Sequence, residues 1–302
     1  MQKIKPKCPH CGGEAQFWRV TKDSPQRIWC PSCLKPFDHV AAPKVLVYDI
    51  ETSQMNVKTF RTGEQRIRGD QIQEDWYVLS WTAKWLFKKD TFGSIVNPSE
   101  AKRRNDKRVV REFHNVLKQA DFVITYNGDR FDIKRMNWRF MVHKMRPVQH
   151  YKSIDLFREI KKVADPSSLS LDFIAKQLGY GGKLETNKGL WDDCEAGKKE
   201  ALDYMYTYNS MDIWKTEDVY AHVRPYMQNH PSFAAWMNMY QDLGKSEHRC
   251  PRCVSGIISE EKFELKYITP AGYMYKIASC PKCGCMVRKT GRRGIRQDAR
   301  VR

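Results

Sequence analysis

The sequence predicts an α/β domain of about two hundred residues with a small cysteine-rich module on either side. Three observations point to it. Eight of the ten cysteines form four Cys-x-x-Cys pairs, two near each end of the chain. Between Pro43 and about Gly244, short apolar runs of strand character alternate with segments of helical period. The 302 residues are 41% hydrophobic and 12% aromatic, enough apolar material for a core of that size.

The elements of the middle follow in order. Lys44 to Thr52 is a short apolar strand that ends in acids, and Trp76 to Leu86 is a β-branched and aromatic run suited to neighbouring strands. Residues 107–120 place Val109, Val110, Phe113, Val116, Leu117 and Ala120 at the spacing of an amphipathic helix. Phe122 to Tyr126 reads as a buried strand broken by Asn127-Gly128, and a helix resumes over 130–145 with Asp132 in its first turn. Further helices fit 170–178, closed by Gly179, and 198–222, ended near Pro225.

At the ends, the pair Cys8 and Cys11 is separated from Cys30 and Cys33 by 18 intervening residues, and the pair Cys250 and Cys253 from Cys280 and Cys283 by 26. Each quartet offers the four thiolates of a closed, structural zinc site, so two Zn²⁺ and two zinc ribbons are expected. Disulfides fit poorly with a chain that shows no secretion signal, and redox dithiols do not come as two quartets. His10, His39, His248 and Cys285 are close enough in sequence to replace a ligand, with Cys285 the leading rival, while Cys194 reads as a buried apolar thiol.

The formal charge is +18, and it is concentrated at the ends: residues 1–44 carry a net +5, 45–244 a net +4 and 245–302 a net +9. Basic flanks around an acid-rich centre suit a protein that holds a polyanion with one part and cations with another. Lys102, Arg103, Arg104, Lys107, Arg108 and Arg111 form a basic run, and the stretch 288–302 has seven basic residues and little apolar content, the composition of a disordered, phosphate-touching tail. A surface charged only for solubility is the plain alternative. No stretch reaches the roughly 18 apolar residues of a membrane span, and the start lacks an apolar signal region, so a cytoplasmic protein is expected, in the host cytoplasm if the chain is viral.

The acids of the middle can be placed on these elements. Asp49 and Glu51, two apart on a strand, share a face; Asp132 follows a strand end; Asp212 sits on the long helix one turn after Tyr208. Four carboxylates in one cleft repel one another unless cations are present, and hard oxygen-liking ions, Mg²⁺ or Mn²⁺, are the natural occupants. Their order along the chain is specific: Tyr48-Asp49-Ile50-Glu51-Thr52, then Tyr126-Asn127-Gly128-Asp129-Arg130-Phe131-Asp132, then Tyr208-Asn209-Ser210-Met211-Asp212.

Together these segments resemble the three exonuclease motifs of the DnaQ-like, or DEDDy, 3′-to-5′ exonucleases, which include the proofreading domains of family B DNA polymerases. Val78 to Trp85 and Ser170 to Gly179 look most like stand-alone exonucleases of bacteriophage replication. The resemblance covers roughly 44–222 and implies an RNase H-like fold, with a mixed five-stranded sheet flanked by helices. It implies two-metal hydrolysis of a terminal phosphodiester of DNA, at single-stranded 3′ ends by preference, in replication, proofreading or repair. On that likeness Asp49, Glu51, Asp132 and Asp212 hold two Mg²⁺ or Mn²⁺ ions, about 4 Å apart in such mechanisms. Tyr208 helps orient the attacking water, and Thr52, Asn127 and Phe131 meet the substrate end. The expected organisation is a zinc ribbon at 1–43, the exonuclease domain at 44–243, a second ribbon at 244–287 and the tail at 288–302. The partners would be DNA and, through the ribbons, a polymerase or another replication protein. An exonuclease acting on RNA and a non-catalytic zinc-ribbon scaffold are the rival readings.

Overall fold

The computed structural model describes residues 16–18, 27–29, 36–38, 43–148, 151–181, 184, 186, 189–228, 230–231, 247–250, 252, 257–268 and 273–292. The chain divides into two compact units, one formed by Lys44–His230 and one by Met1–Pro43 with Pro231–Arg302. In the N-terminal flank, β1 (Gln16–Trp18), β2 (Arg27–Trp29) and β3 (Pro36–Asp38) pair in order as an antiparallel sheet. Cys8, Cys11, Cys30 and Cys33, with His10 and His39, lie outside the described residues.

The central unit begins with β4 (Val45–Thr52), whose first six positions are nearly all buried because apolar Val45, Leu46, Val47, Tyr48 and Ile50 serve both faces of the sheet. A short hairpin follows, β5 (Asn56–Val57) with β6 (Ile72–Glu74), and then β7 (Val78–Trp85) and β8 (Thr91–Ile95). The short α1 (Pro98–Lys102) and the amphipathic α2 (Lys107–Leu117) lead to β9 (Phe122–Thr125) and α3 (Asp132–Val142). After β10 (Lys152–Asp155) come α4 (Leu156–Val163), α5 (Leu171–Gln177), α6 (Leu190–Glu195) and the 25-residue α7 (Lys199–Val223).

Five strands form one mixed sheet in the order β10-β9-β4-β7-β8. β4 is central, antiparallel to β7 and parallel to β9, while β7–β8 is antiparallel and β9–β10 parallel. Trp76 to Leu86 is therefore chiefly one strand instead of several. The partner strands β8 and β10 are half-polar edges, Thr-Phe-Gly-Ser-Ile and Lys-Ser-Ile-Asp, which carry too little apolar alternation to be read from sequence. On one face α2 packs through Val109, Val110, Phe113 and Leu117 against Tyr48 and Trp81; the Tyr48 and Phe113 rings lie 4.8 Å apart.

Two buried charge clusters tie helices to the sheet. Asp106, fully buried, accepts from the Val78 N–H (2.8 Å), from Nε and Nη2 of Arg139 (2.7 and 2.6 Å) and lies 2.6 Å from His143 Nε2. Lys84, also fully buried, pairs with Glu217 of α7 and stands 3.3 Å over the Trp214 ring. The basic run of residues 102–111 is partly spent inside the fold: Arg104 pairs with Glu195, and Arg108 with Glu100 and Glu112. Those two arginines are held by carboxylates of the same unit.

In the C-terminal flank β11 (Glu247–Arg249) pairs with β12 (Ile257–Ser259), and β13 (Glu264–Ile268), β14 (Tyr273–Ser279) and β15 (Met286–Arg292) form an antiparallel sheet. Residues 288–292 are thus paired strand and not tail; 293–302 lie outside the described residues. Among the described residues no helix is long and apolar enough to cross a membrane.

Candidate active site

The sheet centre sets the site. β4 and β7 stay in register through Asp49↔Thr82 and Glu51↔Ser80, so the two acids at the end of β4 project from the same face. β9, parallel beside β4, stops at Thr125 and hands over to a turn in which Asn127 takes φ +63°. Gly128 is required there, because a Cβ would stand 2.3 Å from Thr125 Oγ1. The turn is anchored by Asp155 at the end of β10, whose carboxylate accepts from the N–H groups of Asn127 (2.9 Å) and Asp129 (3.1 Å). Asp155 caps α4 as well.

Asp132, the first residue of α3, is 2% exposed and accepts from the Ile50 N–H at 3.1 Å, which locks the second motif to the first. Burial pushes its carboxyl up to about 7; the N–H groups of Asp132 and Ile50 oppose that rise, Asp155 adds to it, and Arg135 opposes it. Asp212, midway along α7, is buried, and Lys215 one turn later donates to it at 3.3 Å.

One cleft of about 560 Å³ collects Asp49, Glu51, Asp132 and Asp212. Asn127 and Ser170 add polar lining, and Phe131, Phe157, Leu169 and Leu171 form an apolar side. Tyr126 donates to the Leu169 carbonyl at 2.7 Å and pins that side. The Asn127 Oδ1 is buried without a hydrogen-bond partner among the described residues, an acceptor that a donor entering the cleft would satisfy. The donor set is all carboxylate oxygen, as hard divalent cations require, and positive charge in the cleft would relieve the buried Asp132.

Of the eight expected residues other than the cysteines, six line this cleft and two do not. Asp49, Glu51, Asp132, Asp212, Asn127 and Phe131 line it. Thr52 does not: its hydroxyl accepts from Arg135 Nη1 at 2.6 Å. Tyr208 stands one turn before Asp212, but its ring is buried edge-on to Trp191 and is not in the lining. Sequence reasoning missed Asp155, Lys215, Arg135 and the Phe157–Leu171 wall. Asp155 had a signal, an acid closing an apolar strand and capping a helix; Lys215 and Arg135 had none, since surface helices are full of such residues.

In the C-terminal flank the sulfurs of Cys250, Cys280 and Cys283 lie within 4.8 Å of one another, and among the described residues theirs is the one group of three such ligand atoms this close. The cleft acids are therefore more widely spread. Gly284, at φ +68°, forms the knuckle, with its N–H on the Cys280 carbonyl and the Cys280 N–H on the Cys285 carbonyl. Three thiols at this spacing fit three corners of a tetrahedral zinc site. Cys253 lies outside the described residues. Cys285 is buried with its sulfur near the Met286 carbonyl and His248 is bound to Glu260; the group of three includes neither. Cys194 is buried, and that burial pushes its thiol up to about 12, away from the thiolate form.

Residues 80–224 match the family model of the RNase_H superfamily. The central unit has an RNase H-like fold. The matched segment contains Asp132, Tyr208 and Asp212 and begins after Asp49 and Glu51. Among solved structures, the family B DNA polymerase of the hyperthermophilic archaeon Pyrobaculum calidifontis is similar at 16% identity and a TM-score of 0.46, over 61% of this chain and 25% of the polymerase. The chain thus spans a quarter of that protein's length. No curated protein matches the chain.

Proposed function

We propose that the protein is a divalent-metal-dependent 3′-to-5′ exonuclease of the DEDDy type that removes terminal nucleotides from DNA, with single-stranded ends preferred. The observation that carries the reading is the cleft itself, in which acids from β4, the start of α3 and the middle of α7 converge within a domain of RNase H-like fold. Asp49, Glu51, Asp132 and Asp212 would hold two Mg²⁺ or Mn²⁺ ions, whose chemistry when bound is to supply a nucleophilic water at neutral pH and to stabilise charge on the leaving 3′ oxygen.

The chain's own groups do the positioning. Asn127 Oδ1 accepts from the terminal 3′ hydroxyl, which gives the buried oxygen its missing partner. Phe131, with Phe157 and Leu171 beside it, receives the terminal base on an apolar surface without reading its edges. Lys215 holds the Asp212 carboxylate in orientation. Tyr208, one helical turn before Asp212, would help to orient the attacking water. The cysteine quartets, Cys8, Cys11, Cys30 and Cys33 at one end and Cys250, Cys253, Cys280 and Cys283 at the other, would each close on a structural Zn²⁺ in modules spanning 1–43 and 244–287. Those modules, with the basic residues of 288–302, would engage DNA or a replication protein such as a polymerase.

The test is degradation of end-labelled single-stranded DNA and RNA of equal sequence in Mg²⁺ or Mn²⁺, with Asp49→Ala and Asp212→Ala beside the wild type. The expected result is a ladder from the 3′ end of DNA that both substitutions abolish. Preference for RNA would reassign the substrate, and no cleavage of either strand would overturn the reading in favour of a nucleic-acid-binding scaffold.

A further inference from the structure

Arg135 lies on α3 three residues after Asp132, one helical turn along the same face. Its Nη1 donates to Thr52 Oγ1 at 2.6 Å, and its guanidinium carbon lies 4.2 Å from the centre of the Phe131 ring and 4.5 Å from that of Trp76. Thr52 directly follows Glu51, and Phe131 is part of the cleft lining. The guanidinium therefore bridges the ends of the two elements that bring Asp49, Glu51 and Asp132, and shares an aromatic ring with the cleft.

Its donors are largely unused. A guanidinium carries five N–H groups, and among the described residues one hydrogen bond, to a neutral hydroxyl, is all that Arg135 makes. The other arginines packed around this end of the domain are matched to carboxylates: Arg139 to Asp106, Arg104 to Glu195, Arg158 to Asp129. Arg135 is instead half-buried against two rings, and that desolvation holds its pKa below the usual arginine range. A cation kept partly out of water, oriented by two aromatic rings and in no salt bridge among the described residues, with Asp132 and Asp75 acting on it only at longer range, is preorganised for an anion that arrives from outside. The fork geometry of its donors matches phosphate oxygens.

We infer that Arg135, braced by Trp76, Phe131 and Thr52, is a phosphate-binding residue that holds a phosphodiester of the substrate strand beside the cleft. The inference rests on the nuclease reading and deepens it by naming where the backbone is gripped. It also assigns the Thr52 hydroxyl to bracing this arginine.

The experiment compares full-length wild type with Arg135→Gln, which keeps a donor for Thr52 but removes the charge, and with Arg135→Lys, which keeps the charge but loses the fork. Binding of a fluorescent single-stranded oligonucleotide is titrated without divalent metal over a series of KCl concentrations, and steady-state cleavage is measured in Mg²⁺. For Arg135→Gln the slope of log Kd against log salt falls by about 0.7, the value for one phosphate on a single strand. Its KM rises roughly tenfold while kcat stays within about threefold, as expected when binding common to ground and transition states is lost. Arg135→Lys restores the slope and leaves KM several-fold raised, which a bracing role alone would not produce. An unchanged slope in Arg135→Gln overturns the inference. Should that variant not fold, an Arg135→Lys enzyme with wild-type KM overturns it equally. Absence of cleavage by the wild type would sink the nuclease reading while leaving the salt slope to report on the phosphate contact.

Discussion

Replacing Asp106 by alanine removes four interactions at once, from the Val78 N–H, two nitrogens of Arg139 and the His143 ring. Arg139 is 9% exposed, so its guanidinium would be left inside the fold without its anion. Breaking one side of such a pair costs about 3–5 kcal/mol, far more than a surface pair would. For a unit of about 190 residues, each kcal/mol moves the thermal midpoint by about 2–4 °C, so a fall of about 6–20 °C is expected. Tryptophan fluorescence is the suitable probe, because six of the nine tryptophans lie within Lys44–His230. The double substitution Asp106→Ala with Arg139→Met, which removes both charges, should recover more than half of the loss. A midpoint shift under about 3 °C for Asp106→Ala alone, or a double variant no better than the single one, would refute the view that an unpaired buried guanidinium sets the penalty.

Asp155→Ala leaves the Asn127 and Asp129 N–H groups without their acceptor and loosens the turn ahead of Asp132; kcat should fall about tenfold or more while stability drops by only about 1–3 kcal/mol, measured by single-turnover cleavage beside a thermal melt. Gly128→Ala forces a Cβ onto Thr125 and should cost about 1–3 kcal/mol, with loss of cleavage read in the same assay. Cys280→Ser and Cys283→Ser should each reduce the zinc released on denaturation from two equivalents to one, as counted with a chromogenic chelator, with the acids of the cleft untouched. Lys84→Met strips the cation from Glu217 and should lower the fluorescence melting midpoint by an amount comparable to Asp106→Ala, whereas an exposed lysine such as Lys118 changed in the same way should not move it.

What the sequence made legible was whatever carries its own periodicity. The apolar run of β4, the buried strand β9 and the 3.6-residue rhythm of α2 declare themselves because each is buried on a defined face. β8 and β10 do not, since an edge strand needs only half an apolar pattern and takes its identity from the neighbour it pairs with. The four acids were legible as a set because their order along the chain is unusual, although each is commonplace alone. Partnership was not legible. Nothing in Arg104, Arg108, Arg135 and Arg139 as letters tells which two are held by neighbouring carboxylates on helices, which one by Asp106, and which one is braced by two rings and a hydroxyl with donors to spare. Tyr208 shows the same limit: spacing gives its side of α7 but not the ring's contact with Trp191.

The Ile50 N–H that binds Asp132 spans 82 positions of sequence, and α7 brings Asp212 a further 80 positions on. A chain still emerging from the ribosome can therefore complete the central strand and its first two acids long before the last one is synthesised. Until α7 has been made and has docked, the growing chain holds only fragments of a cleft, so on the proposed function a premature stop anywhere before Asp212 should yield an inert product. For a protein whose cleft would attack nucleic acid, this timing confines hydrolysis to molecules that have finished the whole domain.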